Sequence, residues 1–298
     1  MEIGIIGLGK MGFNIALRLK NSCNITGFDT NVDIQKKAQN SGIKTYSNID
    51  DMLSSFTKRK YVWIMVPTGE VRDAVLGELL SKLTKNDIII DGTNSFYKSS
   101  IVYYEKFKSK GIAYLDAGVS GGIYGLDRGY CLMVGGDKEI YNELIDIFAI
   151  LSAKDGFVYT GEAGSGHYVK MIHNAIEYGM MESLAEGMEL LKGGYFKNLD
   201  IKNICKTWNN GSIVASFLLE TVYNALNKEV DINTVKPYVA DTGEGKWAAM
   251  EAIEHKIPAF NIIQSLLSRF LSQEDESYLF KILALMRNEF GGHELKKK

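Results

Sequence analysis

Apolar and polar positions divide the 298-residue chain into two regimes. In the first, short apolar runs recur at residues 2–6, 24–28, 61–66, 87–90, 113–116, 131–134 and 157–159. Most are bounded by glycine, asparagine or aspartate, and 61–66 is closed by Pro67-Thr68-Gly69, the pattern of buried strands. Residues 11–20, 69–82 and 97–110 carry helical spacing between them. Strands alternating with helices predict a doubly wound parallel sheet. Past Tyr159 the strand signals nearly vanish, and from Gly164 onward the pattern is helical, interrupted by Gly193-Gly194 and by residues 241–245. The predicted architecture is an α/β N-terminal domain, residues 1–163, followed by an all-α C-terminal domain, residues 164–298.

One helical stretch departs from the usual pattern. Counting from Lys170, the residues His173, Asn174, Glu177 and Tyr178 fall at i+3, i+4, i+7 and i+8, which is one face of a helix. That face is polar, while Val169, Met171, Ile172, Ala175, Ile176 and Met180 cover the rest. A helix apolar nearly all round is expected to be buried, with Ser165 as its N-cap and no proline before about Lys192. Its polar stripe then meets either an internal hydrogen-bonded network or a ligand, because unpaired burial costs several kcal/mol, roughly 2–7 per group.

The strand at residues 2–6 runs directly into Gly7-Leu8-Gly9-Lys10-Met11-Gly12 and then into a helix. This is G-x-G-x-x-G in its required strand–turn–helix setting, which identifies a dinucleotide-binding (Rossmann) domain. Asp29 lies 20 residues after Gly9, where a carboxylate accepts from the adenosine ribose hydroxyls and repels a 2′-phosphate. No arginine follows it, so NAD is expected and NADP disfavoured, although Lys36 and Lys37 soften the preference. Val66 and Pro67 close the third strand and are candidate nicotinamide-side contacts. Ser120-Gly121-Gly122 reads either as an anion nest or as a plain glycine turn. Gly243-Glu244-Gly245-Lys246-Trp247 is not a Walker motif. Its Lys246 is either a point charge for a phosphate or a surface lysine. Lys246, Arg269, Arg287 and His293 in an otherwise balanced domain suggest an anionic substrate.

Composition narrows these possibilities. Apolar residues make up 46% and charged residues 23%, ordinary values for a globular protein. The 34 basic and 36 acidic residues leave a formal charge of −2, with no field to hold nucleic acid or a membrane surface. Cys23, Cys131 and Cys205 are too dispersed for a disulfide framework or a zinc site, and no metal is expected. With no leader-like or membrane-spanning run, a cytoplasmic protein is expected.

Together these motifs resemble 6-phosphogluconate dehydrogenase, a decarboxylating family within the β-hydroxyacid dehydrogenases. The resemblance rests on residues 7–14, on Asp116-Ala117-Gly118-Val119-Ser120-Gly121-Gly122, on residues 166–179, on residues 243–247, and on Arg287-Asn288-Glu289-Phe290-Gly291-Gly292-His293. It implies that Lys170 is the base for the C3 hydroxyl and Glu177 the acid that protonates C1. His173, Asn174 and Tyr178 would hold the sugar acid, and Ser120, Gly121 and Gly122 its carboxylate end. Asn94 would sit between substrate and nicotinamide. Tyr178, Lys246, Arg269 and Arg287 would gather round the phosphate with His293 nearby. In the family the last two reach in from a neighbouring subunit, so the complete site needs at least a dimer. The chain resembles the short, NAD-preferring form. It departs from the family at Thr93 and Ala175, where glycine is frequent, and at Ala248, where threonine is.

The expected activity is oxidation and decarboxylation of 6-phosphogluconate to ribulose 5-phosphate and CO2 with reduction of NAD, a step of the pentose phosphate pathway. Two alternatives stand beside it. One is an NAD-dependent dehydrogenase of a non-phosphorylated 3-hydroxy acid that leaves the carboxylate in place. The other is a non-catalytic NAD-binding protein.

Overall fold

The computed structural model describes residues 1–228, 231–291 and 294–296. The chain forms two compact units, Met1–His173 and Asn174–Lys298.

The first unit is built on one eight-stranded sheet. β1 (Glu2–Ile6) leads into α1 (Lys10–Leu19), β2 (Asn24–Phe28) and α2 (Val32–Asn40), and a two-residue edge strand β3 (Lys44–Thr45) precedes α3 (Ile49–Ser54). β4 (Tyr61–Ile64), α4 (Glu70–Lys82), β5 (Ile88–Asp91), α5 (Tyr97–Lys108) and β6 (Ala113–Ser120) continue the alternation. A short α6 (Gly125–Arg128) leads to β7 (Tyr130–Gly136), and α7 (Lys138–Glu143) with α8 (Ile145–Leu151) connects it to β8 (Ser152–Gly161). The strand order is β3-β2-β1-β4-β5-β6-β7-β8.

Two cores, one on each face, account for the unbroken apolar runs. Ile3, Ile5, Trp63, Ile88 and Ile90 pack toward α1 and α8, while Ile6, Val62, Ile64 and Ile89 pack toward α3, α4 and α5. Strands covered on both faces need no polar alternation. The sheet departs from the expected parallel run at one place: β6 and β7 pair antiparallel. Only nine residues join them, and a parallel crossover needs a dozen or more. The β7–β8 connection is longer, carries α7 and α8, and restores parallel pairing.

α9 (Ser165–Gly193) begins in the first unit and ends in the second. The second unit continues with α10 (Ile201–Trp208), α11 (Phe217–Leu226), α12 (Glu244–Glu254), α13 (Phe260–Ser272) and α14 (Tyr278–Gly291). Asp200 and Ser216 cap α10 and α11 by accepting from the backbone N–H of Asn203 and Leu219. Among the described residues, no helix is long and apolar enough to cross a membrane.

Two expectations about α9 are corrected. The helix is not buried all round: Lys170, Met171, Ala175 and Tyr178 are buried, whereas Val169, Ile176 and Met180 are exposed. The stripe that carries the polar groups is the one turned inward. Ser165 is not the N-cap either. It is the first helical residue, its hydroxyl bonds Thr160 Oγ1, and the carboxylate of Asp116 supplies the cap from β6.

Candidate active site

The glycine turn is built as its spacing requires. Gly7 has φ +89°, a conformation that side chains rarely adopt. A Cβ on Gly12 would lie 1.9 Å from the Gly7 carbonyl oxygen, so only glycine lets α1 start this close to the turn. Gly9, the N-cap of α1, has no side chain to bond the free amides behind it, and a Cβ there would meet nothing within 4 Å. Open space in front of unsatisfied helix N–H groups fits a pyrophosphate. Lys10 and Met11 form the first turn of α1. The Leu8 N–H donates to Asp29 Oδ2 at 2.8 Å, and the Asn31 N–H donates to its Oδ1 at 2.8 Å. These bonds fix the carboxylate beside the turn, where it fits a ribose diol. Lys36 and Lys37 are engaged elsewhere, Lys36 with Asp33 at 3.9 Å and Lys37 over the Phe13 ring at 4.5 Å.

The sheet reverses direction of growth at β1, flanked by β2 and β4, so the strand ends beside it form the ligand crevice of this fold. Val66 and Pro67 follow β4 in the turn toward α4. Thr68 Oγ1 and Ser95 Oγ lie 2.7 Å apart and join the turns after β4 and β5. Asn94 adopts φ +55° and clasps one residue of β6 at both ends. Its Nδ2 donates to the Val119 carbonyl at 3.0 Å, and its Oδ1 accepts the Val119 N–H at 2.8 Å.

Ser120 ends β6, and Gly121 and Gly122 follow with φ +123° and +52°. The first turn of α9 packs on this strand and on β7 at backbone contact. A Cβ on Gly166 would fall 2.3 Å from the Asp116 carbonyl and 2.5 Å from that of Met133. Asp116, wholly buried, accepts the N–H groups of Gly164 at 2.6 Å and His167 at 2.8 Å. A carboxylate at a helix N-terminus satisfies orphan donors and the helix dipole together. This docking sets Lys170, only 4% exposed, against Gly118. Lys170 Nζ lies 3.3 Å from His173 Nδ1, and His173 Nε2 lies 3.2 Å from Ser120 Oγ. With Lys170 as donor, one tautomer satisfies both contacts: Nδ1 accepts and Nε2–H donates to the serine. The first unit thus brings together Lys170, His173 and Ser120, and laces Asn94 to the residue before Ser120.

The second unit assembles another part of the stripe. Asn174 Nδ2 donates to Glu244 Oε1 at 3.0 Å, and Thr242 Oγ1 donates to the other oxygen of that carboxylate. Tyr178 packs on the backbone of α12, where a Cβ on Gly245 would fall 2.4 Å from its ring. Its hydroxyl donates to Asp241 Oδ1 at 3.0 Å and lies 3.2 Å from Thr242 Oγ1. Burial pushes the Tyr178 phenol up, against the pull of Thr242 and Arg269, so it remains a protonated donor. The Arg269 guanidinium stacks 3.4 Å from the Tyr178 ring centroid and donates to the Ala240 carbonyl at 2.8 Å. Glu177 is half-buried on the same helix. Lys246 is exposed on the first turn of α12, not on a loop, and Arg287 is exposed on α14. His293 lies outside the described residues.

Sequence reasoning missed Asp116, Asp241, Thr242 and Glu244 as organisers. Asp116 and Glu244 lay in stretches the motifs had singled out, but neither was read as an organiser. Among the described residues, no cluster of three or more histidine, cysteine or acidic side chains is arranged to hold a metal.

A dinucleotide turn in a doubly wound sheet, joined through a lysine-bearing helix to an all-helical unit, defines a nicotinamide-dependent dehydrogenase of the two-domain type. Residues 2–161 match the family model described as the NAD binding domain of 6-phosphogluconate dehydrogenase, and residues 166–293 match that enzyme's C-terminal domain. A Haloferax volcanii protein named as the NAD(+)-dependent, decarboxylating 6-phosphogluconate dehydrogenase is 37% identical over 100% of this chain and 99% of its own length. A Bacillus subtilis enzyme of the same name is 36% identical over 92% of this chain, which spans 62% of the longer protein. Among solved structures, 6-phosphogluconate dehydrogenase of Plasmodium falciparum superposes with TM-score 0.82 at 28% identity, covering 100% of this chain and 66% of that one. The chain belongs to the 6-phosphogluconate dehydrogenase family.

Proposed function

We propose that this chain oxidises and decarboxylates 6-phosphogluconate to ribulose 5-phosphate and CO2, with NAD as the hydride acceptor. The observation that carries the reading is Lys170, buried at the start of α9 beside His173 and Ser120, with Glu177 two helical turns further on. Full-length relatives named for this reaction and this cofactor support it.

Gly7, Leu8, Gly9, Lys10, Met11 and Gly12 hold the pyrophosphate of NAD, Asp29 its adenosine ribose, and Val66, Pro67 and Asn94 border its nicotinamide end. When bound, NAD takes the hydride from C3 of the substrate. Lys170 accepts the C3 hydroxyl proton as that hydride leaves. The charge it then carries faces the C3 oxygen and stabilises the enolate that forms as CO2 departs. Glu177 delivers a proton to C1 of the resulting enediol. Its distance along the helix, roughly 10 Å for seven residues, matches an acid working at the far end of a three-carbon unit. Ser120, Gly121 and Gly122 receive the carboxylate end, while His173, Asn174 and Tyr178 hold the sugar chain. Lys246, Arg269 and Arg287, with His293, neutralise the phosphate.

The working form is at least a homodimer, with Arg287 and His293 completing the neighbour's site. Supporting this are the large apolar side chains that the second unit leaves exposed, including Tyr195 (91%), Phe260 (81%) and Tyr278 (75%). Patches of this kind mark association surfaces. Cytoplasmic residence fits the soluble substrate and reduced cysteines.

The test is product analysis with 6-phosphogluconate and each nucleotide. NADH formed together with CO2 supports the reading. NADH without CO2 points to the 3-hydroxy acid alternative, and binding of NAD with no turnover points to the non-catalytic one.

A further inference from the structure

Asp91, the last residue of β5, is a wholly buried carboxylate whose acceptor sites are all used. Its Oδ2 accepts from Arg72 Nε at 2.8 Å and from the Tyr114 hydroxyl at 2.6 Å. Its Oδ1 accepts from the Thr93 N–H at 3.1 Å and the Thr93 hydroxyl at 2.6 Å. Its carbonyl oxygen lies 3.0 Å from His167 Nε2. A carbonyl only accepts, so Nε2 carries the proton, and Nδ1 takes the Ser100 hydroxyl at 2.7 Å. Arg72 Nη2 closes the ring by donating to Ser100 Oγ at 3.3 Å. Burial, the largest single influence, would raise the Asp91 carboxyl, but the Arg72 guanidinium, His167 and the hydrogen bonds from Thr93 and Tyr114 together hold it below the usual carboxylate range.

Proton direction follows from the acceptor at the end of the chain. Thr93 spends its hydroxyl proton on Asp91, so it accepts from Ser95 at 2.7 Å, and Ser95 accepts from Thr68 at 2.7 Å. The hydroxyls of Thr68, Ser95 and Thr93 thus run one way into the buried carboxylate. Asn94 sits inside this run, and its amide grips Val119, the residue before Ser120. From the other side of Asp91, His167 lies one helical turn before Lys170 on α9.

We propose that Asp91 and Thr93 are positioning residues for the redox step, holding the Asn94 turn through the Thr93 hydroxyl and the Lys170 turn through His167 in one register. Neither residue touches the reacting atoms. Thr93 stands where the family resemblance leads one to expect glycine, and in this chain its hydroxyl takes an acceptor site that glycine would leave to the backbone alone. The inference rests on the roles given above to Lys170 and Asn94.

The test compares wild type, Thr93→Val and Thr93→Ser by initial rates with 6-phosphogluconate and NAD. Calorimetric binding of each ligand alone and thermal unfolding accompany the rates. Valine keeps the shape and removes the donor, whereas serine restores it. The expected result is a kcat lower by about 10- to 100-fold in Thr93→Val, as for a small misplacement of reacting groups. NAD affinity should be unchanged, and Thr93→Ser should return to within about threefold of wild type. A larger isotope effect with substrate deuterated at C3 should accompany the loss. Equal kcat in wild type and Thr93→Val overturns the inference, as does failure of serine to rescue, or a lower unfolding midpoint with kcat intact. A wild type inactive on 6-phosphogluconate overturns the functional reading itself, and is told apart because it needs no variant.

Discussion

The two units bury their side chains differently. In the first, both faces of the sheet are closed by large apolar residues, and the buried polar groups Arg72, Asp91, Asp116 and His167 are bonded to one another or to backbone. In the second, among the described residues, the buried apolar side chains are mostly small, with Ala248, Ala249 and Ala252 on α12, and Tyr178, Leu219 and Leu266 as larger members. Phe196, Ile213, Phe260, Tyr278 and Phe280 stay exposed. The first unit carries Lys170, the proposed base. The second leaves apolar surface exposed, and Lys246 and Arg287, proposed to meet the phosphate, are exposed as well. On the proposed reading, the reactive group sits in the closed unit and the specificity groups in the open one, which would tie substrate recognition to assembly.

The contrast can be tested from either side, and the largest effect belongs to the closed unit. Lys170→Ala should lower kcat by about 10²- to 10⁴-fold, the usual range for a general base, with NAD binding intact. Comparable turnover would remove the lysine from the mechanism. Next comes the open unit. Phe260→Glu and Tyr278→Glu should each weaken self-association by roughly 10- to 100-fold, from about 1.5–3 kcal/mol of lost apolar burial per side chain. Sedimentation read alongside activity checks this, and an active monomer would break the link between assembly and recognition.

A smaller change is expected at Asp29. Asp29→Asn should lower the NAD-to-NADP preference in kcat/KM by about tenfold, since the charge that repels a 2′-phosphate is gone. An unchanged ratio would shift the discrimination to another residue. The smallest effect is on acid stability. The Asp91 carboxyl titrates below its unfolded value, so its contribution is complete above pH ~4, the unfolded aspartate value, and is lost as the pH falls through the lower folded one. Asp91→Asn should flatten the acid limb of the unfolding midpoint against pH, while an unaltered limb would place that titration elsewhere.

Legibility in the sequence followed contact range. The glycine turn, Asp29 and the Lys170 stripe are local patterns of three to twenty residues, and each has the expected local form. The second-strand region after Asp29 was harder, because α2 and α3 are short and β3 has only two residues, too few to show a period. Long-range partners left no trace. Asp116 caps α9 from 48 residues away, and Glu244 meets Asn174 across 70. No spacing rule reaches that far. The outward face of α9 was misjudged for a related reason: a helix with exposed Val169, Ile176 and Met180 looks buried on both sides until the fold says which side is covered.

The most direct test of the account is the yield of NADH and CO2 from 6-phosphogluconate by wild type and by Lys170→Ala under one set of conditions. The account predicts equimolar NADH and CO2 from wild type and at least about 100-fold less of both from the variant over the same initial interval. NADH without CO2 from wild type, or undiminished yields from the variant, would contradict it.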